Sequence, residues 1–177
     1  MRKKSILQGI RRKSVKANKQ LEEAEPALQK IGLPPGTLIY TGENRHTPIH
    51  LELFTYNAKT YDYSVSSELN SLRFAEEADR VNWLNVEGIH NIEMMEQIGK
   101  RFRLHPLLLE DVLHVKNMPV IEEYDNCLYC ALKMLRVNEQ TETIETEHVS
   151  LVLVDNTVIS FQDKEGDVFQ NLRERIQ

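Results

Sequence analysis

Positions where apolar side chains alternate with polar ones predict the first strands of the chain. Over residues 49–56, Ile49, Leu51 and Leu53 fall on one face of an extended segment, because successive side chains of a strand point to opposite faces. Residues 80–88, which contain the only tryptophan and end at Gly88, are interpreted as a buried strand. We therefore predict strands over residues 37–41, 49–56, 60–65 and 80–88.

Two longer apolar runs predict the C-terminal part of a sheet. Residues 121–137 are expected to form mostly one long strand. Residues 148–162 are expected to form two strands, since Asp155 and Asn156 suit a tight two-residue hairpin turn. The first strand of that hairpin has apolar side chains on both faces, which is typical of a sheet that is covered on both sides.

Apolar residues at helical spacing predict four helices. The clearest begins after Asn91, a residue suited to cap a helix, and its apolar stripe runs through Ile92, Met95, Ile98 and Phe102. Another is expected to begin at a His-Pro pair, because proline suits the first helical position. The predicted helices cover residues 66–78, 92–104, 106–115 and 165–177. Strands alternating with helices predict an α/β fold, with a sheet sandwiched between helices on both faces.

Length and charge define two regions. The 177 residues suffice for one domain, which we expect over residues 31–177, and the first 20 residues contain eight Lys or Arg and no acid. Residues 1–30 are therefore predicted to be a basic, flexible arm that keeps the chain in solution, with contact to nucleic acid or anionic lipid as the alternative. Residues 21–177 carry a net charge of −13, from −5 for the whole chain minus +8 for residues 1–20. This negative charge disfavours binding to nucleic acid.

The apolar segments and the cysteines indicate a reducing, cytoplasmic location. No run approaches the roughly 18 residues that a membrane-spanning helix needs, and the basic start lacks the apolar core of a secretory signal. Cys127 and Cys130 form a C-x-x-C within an apolar strand, where an offset of three places them on opposite faces. We therefore expect two structural thiols, not a zinc or redox pair.

Known catalytic signatures are missing from the sequence. There is no phosphate-binding G-x-x-x-x-G-K-[ST], no G-x-G-x-x-G, no G-x-S-x-G and no H-E-x-x-H. His105 is expected to be a helix cap or turn residue, not a ligand. We expect that the chain is not an enzyme.

The most informative polar feature is a pair of adjacent carboxylates, Glu110 and Asp111, in the second half of the helix predicted over residues 106–115. With His114 they share one edge of the helix, so two or three ligands could face one cation. A single helix cannot enclose Mg²⁺, which requires an octahedron of oxygens. Spacing alone leaves a solvated acidic edge as the alternative.

Three motifs give the sequence a family likeness. They are the Gly-Ile-His after the tryptophan strand, the His-Pro-Leu-x-Leu-Glu-Asp that opens the acidic helix, and the Phe-Gln-x-Lys-x-Gly-Asp-x-Phe at residues 161–169. Together with "GLPPGTLIYTG", they make residues 31–176 resemble the N-terminal cytosolic domain of CorA-type magnesium and cobalt transporters. The resemblance implies a mixed β-sheet between helices. The family's Gly-Met-Asn signature is missing, since no glycine here is followed by Met.

The resemblance also implies a function and a site. Glu110 and Asp111 match the acidic pair through which the family binds regulatory divalent cations, Mg²⁺ and possibly Co²⁺, at the subunit boundaries of a homopentamer. The facing carboxylates and the membrane-spanning helices are expected beyond Gln177, so this chain would contribute half a site at the cytoplasmic face of the membrane. Three alternatives remain: a zinc-transporting relative of the same superfamily, a stand-alone soluble binding domain, and a metal-dependent hydrolase.

Overall fold

The computed structural model describes residues 32–43, 46, 48–138, 142–163 and 169–176. Contacts divide the chain after Pro34, and the unit from Pro35 onward contains every strand and helix reported below. The predicted basic arm, residues 1–30, lies outside the described residues and stays a prediction.

In the part of the chain that the structure describes, seven strands form one mixed sheet. In sequence order they are β1 His50–Tyr56, β2 Tyr61–Ser66, β3 Val81–Glu87, β4 Val120–Tyr124, β5 Cys127–Asn138, β6 Thr143–Val154 and β7 Thr157–Gln162. In space the order is β2-β1-β3-β7-β6-β5-β4. Every neighbouring pair is antiparallel except β3 and β7, which run parallel. The sheet is thus mixed, as the family resemblance implied.

Helices contact both faces of this sheet. They are α1 Ile92–Phe102, α2 Pro106–Leu113 and α3 Gln170–Ile176, with one turn of 3-10 helix at Leu69–Ser71. Apolar residues of α1 and α2 form the main core with one face of the sheet. On the other face, the guanidinium carbon of Arg173 in α3 lies 6.0 Å from the centroid of the Trp83 ring, and Phe169, just before α3, meets Trp83 edge-on at 5.5 Å. The α/β class with helices on both faces is therefore confirmed.

The predicted helix and hairpin signals are present at their expected positions. The Asn91 side chain accepts a hydrogen bond from the Met94 N–H at 2.8 Å and caps α1. Pro106 is the first residue of α2. Asp155 lies in the turn between β6 and β7 with φ of 49°, a left-handed conformation that Asp tolerates in tight turns.

Three predicted elements are wrong. Residues 37–41 are not a strand, because they lie along α2, where the Thr41 N–H donates to the Leu113 carbonyl at 3.1 Å. The helix predicted over 66–78 shrinks to Leu69–Ser71, since side chains such as Ser66 bond nearby groups instead. The long strand predicted over 121–137 is split into β4 and β5 by a turn at Asp125 and Asn126.

One part of the second sheet face is less covered than the sequence suggests. Leu128 is 42% exposed and Leu153 is 49% exposed, although both lie in strands with apolar residues on both faces. Arg173 of α3 reaches Trp83 of β3 and Glu52 of β1, at the opposite end of that face. Within the described residues, cover on this face is thus found over β1 and β3.

Candidate metal site on helix α2

Helix α2 fixes the direction of the predicted carboxylate pair. The His105 Nδ1 atom accepts a hydrogen bond from the Leu107 N–H at 3.2 Å, so His105 caps the helix as predicted. The apolar face of the helix is buried in the core through Leu108, Leu109, Val112 and Leu113. This packing leaves Glu110 and Asp111 half-buried at the edge of the core.

Glu110 is bonded to a distant part of the chain. Its Oε2 atom accepts a hydrogen bond from the Gly36 N–H at 2.7 Å. Gly36 has φ of 81°, a conformation that favours glycine, and a Cβ at this position would lie 2.8 Å from the Cβ atom of Pro106. Gly36 therefore lies directly against the first turn of α2.

Asp111 is bonded to the loop that follows α2. Its Oδ1 atom accepts a hydrogen bond from the Asn117 side-chain amide at 3.0 Å. His114 caps the C-terminal end of the helix, and its backbone N–H donates to the Asp111 carbonyl at 3.1 Å. The two carboxylates are thus adjacent in sequence but have different partners.

The donor set suits part of a magnesium site. Carboxylate oxygens are the ligands that Mg²⁺ prefers, and two of them lie side by side on α2. Among the residues that the structure describes, no three His, Cys, Asp or Glu side chains are grouped to hold a metal ion. Glu110, Asp111 and His114 therefore do not form a complete site, and the pair fits a cation only with further ligands from elsewhere.

A polar group behind α2 was not predicted from the sequence. The Lys133 Nζ atom donates to the Val115 carbonyl at 2.6 Å, just past the end of α2. It also lies 3.3 Å from Nδ1 of His148, whose Nε2 lies 3.1 Å from the Ser150 hydroxyl. Burial, then the charge of Lys133, lowers the pKa of His148 to about 4. A lysine at the C-terminal end of a helix complements its dipole.

A comparison of sequences identifies the family. A profile described as "CorA-like Mg2+ transporter protein" matches residues 78–177, more than half of the chain. The cobalt/magnesium transport protein CorA of Thermotoga maritima is 36% identical over 156 residues, which is 88% of this chain and 44% of that protein. The chain belongs to the CorA-like family. It spans less than half the length of this curated relative.

Solved structures share the fold of this CorA-like chain at low sequence identity. The soluble domain of CorA from Methanocaldococcus jannaschii matches with a TM-score of 0.52 and 14% identity, over 70% of this chain and 45% of that one. The ZntB cytoplasmic domain from Vibrio parahaemolyticus matches with a TM-score of 0.54 and 11% identity, over 73% and 50%. Of the helices that the structure describes, none has the length and apolar character needed to cross a membrane.

The second face of the CorA-like sheet carries another buried polar group that the sequence analysis did not single out. Glu52 accepts from the Tyr63 hydroxyl at 2.7 Å and lies 2.8 Å from Arg173 of α3. The Asn85 side chain donates to both Glu52 and Glu87, at 3.2 and 3.3 Å. Burial raises the pKa of Glu87. The register of β1 and β3, which pairs Glu52 with Asn85 and His50 with Glu87, brings the two carboxylates together.

The positions of the two cysteines agree with the prediction that they are structural thiols. Cys127 is buried and Cys130 is half-buried, and both are free thiols. They lie three residues apart in β5, so their side chains point to opposite faces of the sheet. Burial raises the pKa of the Cys127 thiol, which disfavours the reactive thiolate.

Proposed function

We propose that the chain is the cytosolic regulatory and assembly domain of a CorA-like Mg²⁺ and Co²⁺ transport channel. In this proposal it assembles as a homopentamer at the cytoplasmic face of the membrane, to which it is joined by helices beyond Gln177. Glu110 and Asp111 supply half of a regulatory cation site between neighbouring protomers. The observation that carries the proposal is the carboxylate pair at the edge of α2, within the family-matched segment.

The chemistry of the donors favours magnesium over zinc. Zinc sites in proteins use mainly thiolate and imidazole ligands, whereas Mg²⁺ is bound by oxygen. At the edge of α2, two carboxylates are offered beside one imidazole, that of His114, and the cysteines lie within β5. A zinc-transporting relative of the same superfamily is the alternative, which the match to the ZntB cytoplasmic domain keeps open at the level of the fold.

The proposed regulation rests on electrostatics. A bound divalent cation supplies the positive charge that neutralises carboxylates facing each other across two protomers. Without it, Glu110 and Asp111 repel the facing carboxylates and the contact between protomers loosens. At tenfold excess over its dissociation constant, a cation stabilises the bound state by about 1.4 kcal/mol. Five such sites sum to about 7 kcal/mol. This exceeds the roughly 5.5 kcal/mol needed to shift an equilibrium between two states from about 1:99 to about 99:1.

Calorimetric titration of this chain with Mg²⁺ and Co²⁺ tests the site. We expect weak, about millimolar binding, since half of the ligands are missing, and its loss in the double variant Glu110→Ala plus Asp111→Ala. The matched control is Glu122→Ala plus Glu123→Ala, because this adjacent pair is exposed on β4 and outside the proposed site. The control should bind as the unaltered chain does.

Two outcomes would contradict the proposal. Micromolar binding that survives the double substitution in α2 would move the site elsewhere. The coding sequence after Gln177 gives an independent test, because a channel requires two apolar segments of roughly 20 residues there. A stop codon directly after Gln177 would favour the stand-alone binding domain.

A further inference from the structure

Strands β5 and β6 extend past their neighbours in the sheet as a two-stranded projection, residues 132–138 and 143–148, here called the β5–β6 arm. β4 pairs with β5 only over Cys127–Ala131, and β7 pairs with β6 only over Val149–Val154. Among the described strands, the two halves of the arm therefore pair only with each other. A two-stranded hairpin is marginally stable in water, and its unpaired edges are ready to contact another chain.

One face of the β5–β6 arm carries exposed apolar side chains. Leu135, Val137 and Ile144 are 65–70% exposed. Val137 lies directly opposite Ile144, and side-chain alternation places all three on the face that β5 turns toward α1 and α2. At the base of the arm, Lys133 donates to the Val115 carbonyl just past the end of α2. The apolar stripe of the arm thus lies beyond the helix that covers the rest of this face.

An apolar cleft lies between the end of α1 and the start of α2. It has a volume of about 350 Å³, and its apolar lining includes Leu104 and Leu109. Lys100 and Glu96, which are 3.7 Å apart, line it as well. Residues 96–104 contain three basic side chains and one acid, a net charge of +2. The cleft therefore suits aliphatic side chains from a segment that carries negative charge.

The arm and the cleft lie at opposite ends of β5. Asn126, just before β5, donates to the Arg103 carbonyl at 3.1 Å, so the first residue of β5 lies beside the end of α1. Val137 is ten residues further along, from 137 minus 127, which is roughly 30 Å of extended strand. The arm of one chain therefore cannot enter its own cleft, and a contact between the two surfaces requires two copies.

We infer that the β5–β6 arm of one copy docks into the cleft between α1 and α2 of a second copy of this chain. The arm supplies Val137 and Ile144 to an apolar cleft, and the charges are complementary, since residues 132–148 carry −2 and residues 96–104 carry +2. This contact is head-to-tail, so successive copies close into a ring if the rotation between them permits it. The inference rests on the self-assembly in the proposed function and is independent of the cation site.

Analytical ultracentrifugation of this chain without divalent cations tests the contact. We expect weak, concentration-dependent association, because a single arm and cleft form a small interface. Val137→Thr plus Ile144→Thr removes apolar contact but keeps β-branched side chains in the arm, so association should weaken about tenfold or more. Lys100→Glu plus Arg101→Glu reverses the charge beside the cleft and should have the same effect.

Two controls keep the chemistry of these changes and move them elsewhere. Ile121→Thr alters a side chain of β4 that is 70% exposed. Lys59→Glu plus Arg175→Glu makes the same change of charge at exposed positions outside the cleft. Both controls should associate as the unaltered chain does. Loss of association in Ile121→Thr would place the contact on the other face of the sheet and overturn the inference.

A mixture of the two non-associating variants tests the head-to-tail geometry. The arm variant keeps its cleft and the cleft variant keeps its arm, so the two should form a one-to-one complex with each other. Absence of this complex would overturn the inference, as would an unaltered chain that stays monomeric at about millimolar concentration. Neither result would alter the Mg²⁺ titration of Glu110 and Asp111, which tests the proposed cation site separately.

Discussion

His148 is a buried base that is neutral in the folded chain at pH 7. It is 5% exposed and lies between Lys133 and Ser150. Its folded-state pKa of about 4 lies below the usual 6.5, so the unfolded chain binds the proton more readily below pH 6.5. The contribution of His148 to the free energy of unfolding is therefore fully present above pH 6.5, and it is lost as the pH is lowered toward 4.

The replacement His148→Gln should reduce this pH dependence. The shift from 6.5 to about 4 corresponds to on the order of 3 kcal/mol of unfolding free energy that is lost between those pH values. Urea denaturation at pH 7 and pH 4 should show a smaller difference in the variant than in the unaltered chain. His46→Gln is the control, because His46 is exposed. Equal differences for His148→Gln and the unaltered chain would contradict the prediction.

Sequence reasoning found some of the important residues and missed others for a definite reason. Glu110 and Asp111 are adjacent in sequence, so their pairing can be read directly from the chain. His148 and Lys133 pair only across the β5–β6 register, which periodicity does not provide. The bond from Gly36 to Glu110 joins residues 74 positions apart and is likewise a product of tertiary packing.

At the scale of elements, α1 depends on its N-terminal cap. Asn91→Ala removes the acceptor of the Met94 N–H and should lower the free energy of unfolding by about 1 kcal/mol. Asn91→Asp keeps an acceptor beside the positive end of the helix dipole and should cost much less. Urea denaturation compares the two variants, and an equal loss in both would show that the cap contributes little.

Local sequence signals predicted helices and turns well where the interacting residues are close together in the sequence. The cap at Asn91, the proline at the start of α2 and the turn at Asp155 all act within a few residues. Residues 37–41 have strand-like composition but find their partner on α2, so the local pattern misleads. The turn that separates β4 from β5 also has a partner far away in the sequence. The Asn126 side chain donates at 3.1 Å to the carbonyl of Arg103, the residue that follows α1.

At the scale of the whole molecule, the sequence established the class and the family likeness supplied the mixed sheet. The strand order could not be read from periodicity, because both antiparallel and parallel neighbours were compatible with the apolar runs. The parallel pairing of β3 with β7 connects two antiparallel groups of strands, β2-β1-β3 and β7-β6-β5-β4.

That single parallel ladder has a kinetic consequence. The pair Asn82 and Thr157 is 75 residues apart, from 157 minus 82, whereas Asn138 and Thr143 are only 5 apart. Closing the longer loop costs on the order of 2 kcal/mol more in chain entropy, so the β3–β7 ladder should form late in folding. Pulse-labelling hydrogen exchange during refolding should protect β5–β6 amides first, and simultaneous protection would contradict this order. Until the ladder closes, the chain would pass through a state of two separate antiparallel units with open strand edges, which is where misassembly between copies would begin.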